Sequence, residues 1–321
     1  MSERNQYYKT RPPMTELKVP ENGAICGIST ITNRASSHTY GWARTWAENL
    51  GVGINHACEH SVTVFLDHGV NYGGSLNLFS GYTEKHSRCI QNLVESENVY
   101  SLDIDMPRYD EMFSRRKDVD DPKLMAKLTE FCDRAITLKS TDLKTDWLTI
   151  GDSHVAAWAP HGSMIVRENG RTLNSQVRTD FEWIREHLAL CPQIRGVTIV
   201  LGNIDIRHHI IRLNADWQSM WAALHEFGES LDIEVEIASP WPVEFEGRKV
   251  PKSGWYKGQP FWGSQAERSD VVKKVVTDSR ILRYPSEWLE MDPEVYAKER
   301  MEKPQSVHLS PAYYRRQGWS S

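Results

Sequence analysis

Two hydrophobic periods alternate along the C-terminal half of the chain. Apolar, β-branched runs at DWLTI (146–150), VTIVL (197–201) and EVEIA (234–238) read as strands, whereas TDFEWIREHLA (179–189) and DWQSMWAALHEFGESL (216–231) carry their apolar residues at helical spacing. Strands that alternate with amphipathic helices predict right-handed crossovers and a mainly parallel sheet flanked by helices, an α/β fold. Ligands of such sheets bind beyond the carboxyl ends of the strands. Two polar turns, GDSH (151–154) and GNID (202–205), fall at such ends.

The N-terminal half repeats the α/β character less regularly. The run AICGIST (24–30), a helical stretch over 40–50, SVTVFLDHG (61–69) and NVYSLDI (98–104) predict a further α/β region. Residues 1–20 lack periodicity and contain Pro12-Pro13, so they read as a tail. The highly charged segment 108–121 reads as a solvated connection, which divides the chain into a tail (1–20), an N-terminal α/β region (21–140) and a C-terminal domain (145–321). No flexible Gly/Ser linker separates the halves, which leaves open one sheet running through both, and no internal repeat is visible.

Composition narrows the function classes. With 321 residues the chain has ample volume for a core, and a net charge of −5 gives no reason to expect a nucleic-acid-binding face. The five cysteines are odd in number and include no CxxC pair, which argues against a disulfide framework or a thiolate zinc site and for a reducing compartment. The start of the chain is polar and basic, and no apolar run approaches membrane-spanning length, so a soluble, cytoplasmic protein is expected. The twelve tryptophans either pack beneath long loops or form a stacking surface for a sugar or base.

Candidate chemistry gathers at three places. Ser153 follows a buried strand and a glycine that permits a sharp turn; it either acts as a nucleophile, given a histidine from elsewhere, or caps the next helix. The cluster Asn203, Asp205, Arg207, His208 and His209 follows the strand VTIVL; a side-chain amide there can donate to a developing oxyanion, while Asp205 and Arg207 can instead form a buried ion pair. His308 lies in a late loop ahead of LSPAYY, where the chain is expected to begin a final helix. In the N-terminal half, Asp67, His68 and Asn71 follow a predicted strand and form either a ligand loop or a tight turn.

GDSH, GNID and VHLSPAYY, in that order over about residues 147–318, resemble the first, third and fifth sequence blocks of the SGNH/GDSL hydrolases. The resemblance implies an SGNH-type, flavodoxin-like three-layer sandwich and a serine hydrolase or acyltransferase. Ser153 would be the nucleophile and His308 the base, with oxyanion donation from the Ser153 amide, from Asn203 and from a second-block glycine, Gly170 or else Gly162. A small-molecule or glycan substrate and no cofactor or metal are expected. Two departures stand out. The third block usually reads GxND, and here Asn203 comes one position early; the sequence looks closer to a GEIDxRxH variant, which draws attention to Asp205, Arg207 and His209. The usual acid of the fifth block is replaced by Gln305, so the domain either runs a Ser-His pair or recruits Glu302 or Asp205.

Two other readings compete. Asp152 and His154 have the DxH form of a two-metal phosphoesterase, with Asn203 and further histidines as ligands, but the intervening and final motifs of that class are missing. The domain can also be a non-catalytic, SGNH-like scaffold that binds through its tryptophan-bearing loops.

Overall fold

The computed structural model describes residues 146–318 apart from 161, 168–169, 190, 244–257, 259–260, 303 and 305, together with five short strands of the N-terminal half. The helical stretch expected over 40–50 and the Asp67, His68 and Asn71 cluster lie outside the described residues, as does Gln305. The chain divides into two compact units, residues 1–32 with 50–143 and residues 33–49 with 144–321.

Among the described residues each unit holds its own five-stranded sheet. In the first unit β1 (Ala24–Ile25), β2 (Gly53–Ile54), β3 (Thr63–Leu66), β4 (Asn98–Ser101) and β5 (Ile136–Thr137) run parallel in the order β2-β1-β3-β4-β5. In the second, β6 (Trp147–Gly151), β7 (Met164–Arg167), β8 (Gly196–Val200), β9 (Glu234–Ala238) and β10 (Ile281–Leu282) run parallel in the order β10-β9-β8-β6-β7. Counted from its own first strand, each sheet has the doubly wound order 2-1-3-4-5. The two halves thus share a topology that their sequences conceal.

The second sheet carries α1 (Val155–Trp158), α2 (Leu173–Arg178), α3 (Glu182–Ala189), α4 (Asn203–His208), α5 (Ile210–Leu213), α6 (Trp217–Glu229), α7 (Gln265–Val276), α8 (Glu287–Glu290) and α9 (Pro293–Arg300). Among the described residues, none of the helices is long and apolar enough to cross a membrane. The longer ones start at caps that satisfy their first amides: Asp216 for α6, a Ser264/Glu267 capping box for α7, and Asp292 with Pro293 in the first turn of α9.

The central strands β6 and β8 are buried at every position, which is why their sequences are nearly continuous apolar runs. Leu148, Ile150, Val197 and Ile199 are inaccessible to solvent. Their polar members are partnered: Trp147 Nε1 donates to Thr198 Oγ1 at 2.9 Å, Thr198 donates to Glu236 at 2.7 Å, and Arg315 closes a two-pronged pair with Glu236 at 2.6 and 2.8 Å. Trp147 packs across Gly196, where an added Cβ would lie 2.3 Å from its ring. Several tryptophans fill the core as well. Trp158 stacks on Trp241 at 4.7 Å, and Tyr284 stacks on Trp241 at 5.5 Å and on Trp288 at 5.7 Å, all buried. Trp262, by contrast, is 45 % exposed.

The order of the strands fixes where a ligand can reach this sheet. The chain leaves β6 toward β7 on one side and returns to β8 on the other, so the crevice of a doubly wound sheet opens beyond the carboxyl ends of β6 and β8. Gly151 pairs with Val200 in the last register of the two strands, and the Asp152 amide continues the ladder by donating to the Val200 carbonyl at 3.0 Å. A Cβ on Gly151 would lie 2.0 Å from that carbonyl oxygen.

Gly151→Ala is therefore expected to cost about 3 kcal/mol of stability, the upper range for overpacking. Gly162→Ala, where an added Cβ meets nothing within 4 Å and only the φ of +79° is unfavourable, should cost about 1 kcal/mol. Urea denaturation of the two variants checks the ranking.

Candidate active site

Ser153 lies in the turn between β6 and α1, partly exposed. It does not cap α1: the residue at that position is His154, and no side-chain cap bond forms there. The Ser153 hydroxyl is instead hydrogen-bonded to His308 Nε2 at 2.8 Å, across 155 positions of sequence. This is the reach required of a nucleophile and its base.

The loop that carries His308 is built by its own polar groups. Met301 and Leu309 form an antiparallel bridge, and the Glu302 amide donates to the His308 carbonyl at 3.0 Å. Ser306 Oγ accepts the His308 amide at 3.0 Å and donates to Glu302 Oε1 at 2.6 Å. The Glu302 carboxylate is thereby held 3.9 Å from His308 Nδ1, within range to favour an imidazolium though beyond hydrogen-bond distance. After the loop the chain forms two short 3-10 turns, Pro311–Tyr313 and Arg315–Gln317, rather than the final helix expected from LSPAYY. Pro311, which lacks an amide donor, occupies the first of them.

Asp152 and His154 flank the serine and are both buried. Asp152 Oδ1 accepts the His154 amide at 2.9 Å and contacts His154 Nδ1 at 2.8 Å, while His154 Nε2 donates to the Val307 carbonyl at 3.1 Å. The imidazoles of His154 and His308 lie 4.9 Å apart, centroid to centroid. Among the described residues, no three His, Cys, Asp or Glu side chains gather as a possible metal-ligand set.

The GNID segment is tighter than a loop. Gly202, at φ +97° with Trp221 packed where a Cβ would be, completes the reversal alone, and α4 begins at Asn203. Asn203 is buried; its Oδ1 accepts the Trp241 amide at 2.9 Å, which fixes which way round the carboxamide sits, because only the oxygen can accept. Its Nδ2 has no hydrogen-bond partner in the structure.

The other residues of that cluster hold the scaffold. Both oxygens of Asp205 accept amides at the start of α2, from Leu173 at 2.7 Å and Asn174 at 3.0 Å, beside the Thr172 cap that takes the Ser175 amide at 3.0 Å. Arg207 donates to the Asn203 carbonyl at 2.7 Å. His208 packs edge-on against Phe261 at 5.3 Å, and His209, half-buried, meets Arg212 at 3.0 Å. Burial and the Arg212 charge both lower the His209 pKa. Gly170, at φ +88°, lies in the turn ahead of α2, and Gly162 is exposed.

Ser153 and His308 thus meet directly, with Glu302 behind the histidine, whereas Asp205, Arg207 and His209 make their described bonds elsewhere. No local pattern marks the part played by Ser306 and Val307, whose positions depend on the fold of one loop. His154 was visible as half of a DxH pattern, but its bond to Val307 spans 153 positions and leaves no local signal. Comparison of the chain with protein-family models, curated proteins and solved structures finds no match.

Burial pushes the Asp205 carboxyl up to about 6 from 3.8, with nearby Asp152 adding to the rise, against the opposing pull of the Asn174 and Leu173 amides. A raised carboxyl binds its proton more tightly in the folded state than in the unfolded chain. Its contribution to stability is then greatest below pH 3.8 and declines as pH rises to about 6. Thermal melts across that window should show the difference between the wild type and Asp205→Asn changing with pH, and a constant difference would contradict this.

Proposed function

We propose that the C-terminal domain is a serine hydrolase or acyltransferase that attacks an ester or other acyl group, on a small-molecule or glycan substrate, through Ser153 and His308. The observation that carries the reading is the 2.8 Å hydrogen bond from the Ser153 hydroxyl to His308 Nε2 at the mouth of the sheet's crevice. The resemblance to the SGNH/GDSL hydrolases points the same way. So does the 2-1-3-4-5 strand order, which fits an SGNH-type, flavodoxin-like three-layer sandwich.

The chemistry follows from the donors and acceptors. His308 Nε2 removes the Ser153 proton as Oγ bonds to the acyl carbon, giving a tetrahedral oxyanion. The imidazolium then returns that proton to the leaving group as its bond to carbon breaks, leaving an acyl-serine. Water or an acceptor hydroxyl or amine, deprotonated by His308, attacks the acyl carbon, the bond from that carbon to Ser153 Oγ breaks, and the imidazolium returns the proton to Ser153 Oγ. Each half-reaction passes through an imidazolium, which the Glu302 carboxylate at 3.9 Å stabilises. Of the two acids that the sequence left open as a third member, Glu302 is the one near His308, while Asp205 binds the first amides of α2.

The oxyanion needs donors that do not have to reorient. Asn203 Nδ2 is the favoured side-chain donor: its orientation is fixed by the Trp241 amide, it lacks a partner in the free protein, and a buried unsatisfied amide costs about 1–3 kcal/mol until it finds an acceptor. The Ser153 amide and Gly170 complete the set implied by the family resemblance.

A fluorophosphonate probe should label the folded protein at Ser153, with mass spectrometry locating the adduct. Ser153→Ala and His308→Ala should each lower hydrolysis of p-nitrophenyl acetate by more than about 10³-fold without a matching loss of fold. Glu302→Gln should lower it by roughly tenfold, in line with a charge that is near His308 but not bonded to it. Failure of the folded wild type to react, or an unchanged rate in Ser153→Ala, would refute serine chemistry.

A further inference from the structure

We propose that His154, oriented by Asp152, is a positioning residue that sets where His308 meets Ser153, by holding the carbonyl of the residue immediately before His308. Its catalytic consequence rests on the serine-hydrolase reading above; its structural content does not.

His154 meets an oxygen at each of its ring nitrogens. A backbone carbonyl has no hydrogen to give, so in the 3.1 Å contact between His154 Nε2 and the Val307 oxygen the ring nitrogen must carry the hydrogen. The opposite ring nitrogen, Nδ1, is held 2.8 Å from Asp152 Oδ1, a contact that needs a second hydrogen, on Nδ1 or on the carboxyl, and the same oxygen accepts the His154 amide at 2.9 Å. Asp152 is fully buried, and its own amide is anchored 3.0 Å from the Val200 carbonyl at the end of β8. Fixed bonds therefore run from the central strand to Asp152, from Asp152 to the imidazole, and from the imidazole to the peptide group that precedes His308.

The loop at the far end of this chain is already shaped by the Met301–Leu309 bridge, the Glu302 amide bond and the Ser306 hydroxyl. Its internal bonds determine its form but not its distance from the nucleophile. His154 supplies a contact that does, because it joins the turn bearing Ser153 to the residue next to His308. The two rings lie 4.9 Å apart and are tilted by 34°, so removal of the His154 ring also opens space beside the base. A displacement of 1 Å at a reacting pair can cost about 100-fold in rate, which makes this bond worth holding rigidly.

The Asp-x-His pattern that resembled half of a metal site in the sequence thus has a different use. Its two side chains face each other and a backbone carbonyl, not a common centre.

The test has a structural arm and a kinetic arm. In ¹⁵N-edited NMR of the whole protein, His154 should give a slowly exchanging Nε2–H resonance; a ring protonated only at Nδ1 would overturn the proposal whatever the activity. In the kinetic arm the rate of fluorophosphonate labelling at Ser153 is compared among the wild type, His154→Ala and His154→Gln. Alanine removes the donor and should slow labelling by about 100-fold. Glutamine, whose amide can reach the same carbonyl, should recover at least tenfold of that loss, a rescue that mere filling of space by His154→Leu should not reproduce. Equal labelling rates in wild type and His154→Ala, or equal rescue by leucine and glutamine, would overturn the positioning role. Should the wild type label at some residue other than Ser153, the serine reading fails, while the NMR result still decides whether His154 holds the Val307 carbonyl.

Discussion

The approach of the chain at Gly151 to the carbonyl of Val200 governs the geometry of the whole site. A Cβ at Gly151 would sit 2.0 Å from that oxygen, so only glycine lets the last pair of β6 and β8 close. That closure puts the Asp152 amide on the Val200 carbonyl, and with it fixes the direction in which the next residues leave the sheet. Ser153 then faces the loop of His308, and Asp152 and His154 turn inward on either side of it. On the neighbouring strand Gly202 serves the same purpose at φ +97°, starting α4 at once and bringing Asn203 to the same end of the sheet. The sheet order opens a crevice beyond the carboxyl ends of these two strands, and each glycine lies at the end of one of them.

Carboxylates are then distributed with unequal tasks. Glu302, on the late loop, remains near enough to His308 to favour a charged ring. Asp152 orients His154, and Asp205 holds the first amides of α2, so the helix that follows Gly170 is tied to the segment that begins with Asn203. Asp205 meets this role at some cost, because burial raises its carboxyl to about 6 even with two amides bound to it. Arg207 adds a further tie by donating to the Asn203 carbonyl, while Nδ2 of the Asn203 side chain has no hydrogen-bond partner.

Much of this framework was legible in the sequence because it depends on local pattern. The continuous apolar runs of β6 and β8 and the amphipathic face of α6 follow from periodicity alone, and the two polar turns stand out against them. The short strands β7 and β10 escaped notice: four and two residues are too few to show a period. The shared order of the two sheets was equally hidden, since strand order is a property of crossovers and not of composition. In the site, Ser153, His308 and Asn203 were readable from their positions after strands or in a late loop. The partners of Asp205 were not: that carboxylate looked suited to Arg207 or His308, and the amides it bonds lie 31 and 32 positions earlier. Backbone amides carry no signature in a sequence, so a carboxylate that caps a distant helix is indistinguishable there from one that serves a histidine.

The central claim is that Ser153, His308 and Asn203 act on one acyl group at the end of the β6–β8 crevice. A crystal structure of the phosphonylated protein tests it most directly, because the adduct imitates the tetrahedral intermediate. The account predicts phosphorus bonded to Ser153 Oγ, His308 Nε2 within about 3 Å of an oxygen of the adduct, and the phosphoryl oxygen within about 3 Å of Asn203 Nδ2. An adduct on another side chain, or a phosphoryl oxygen directed to solvent with the Asn203 amide still unpartnered, would contradict it.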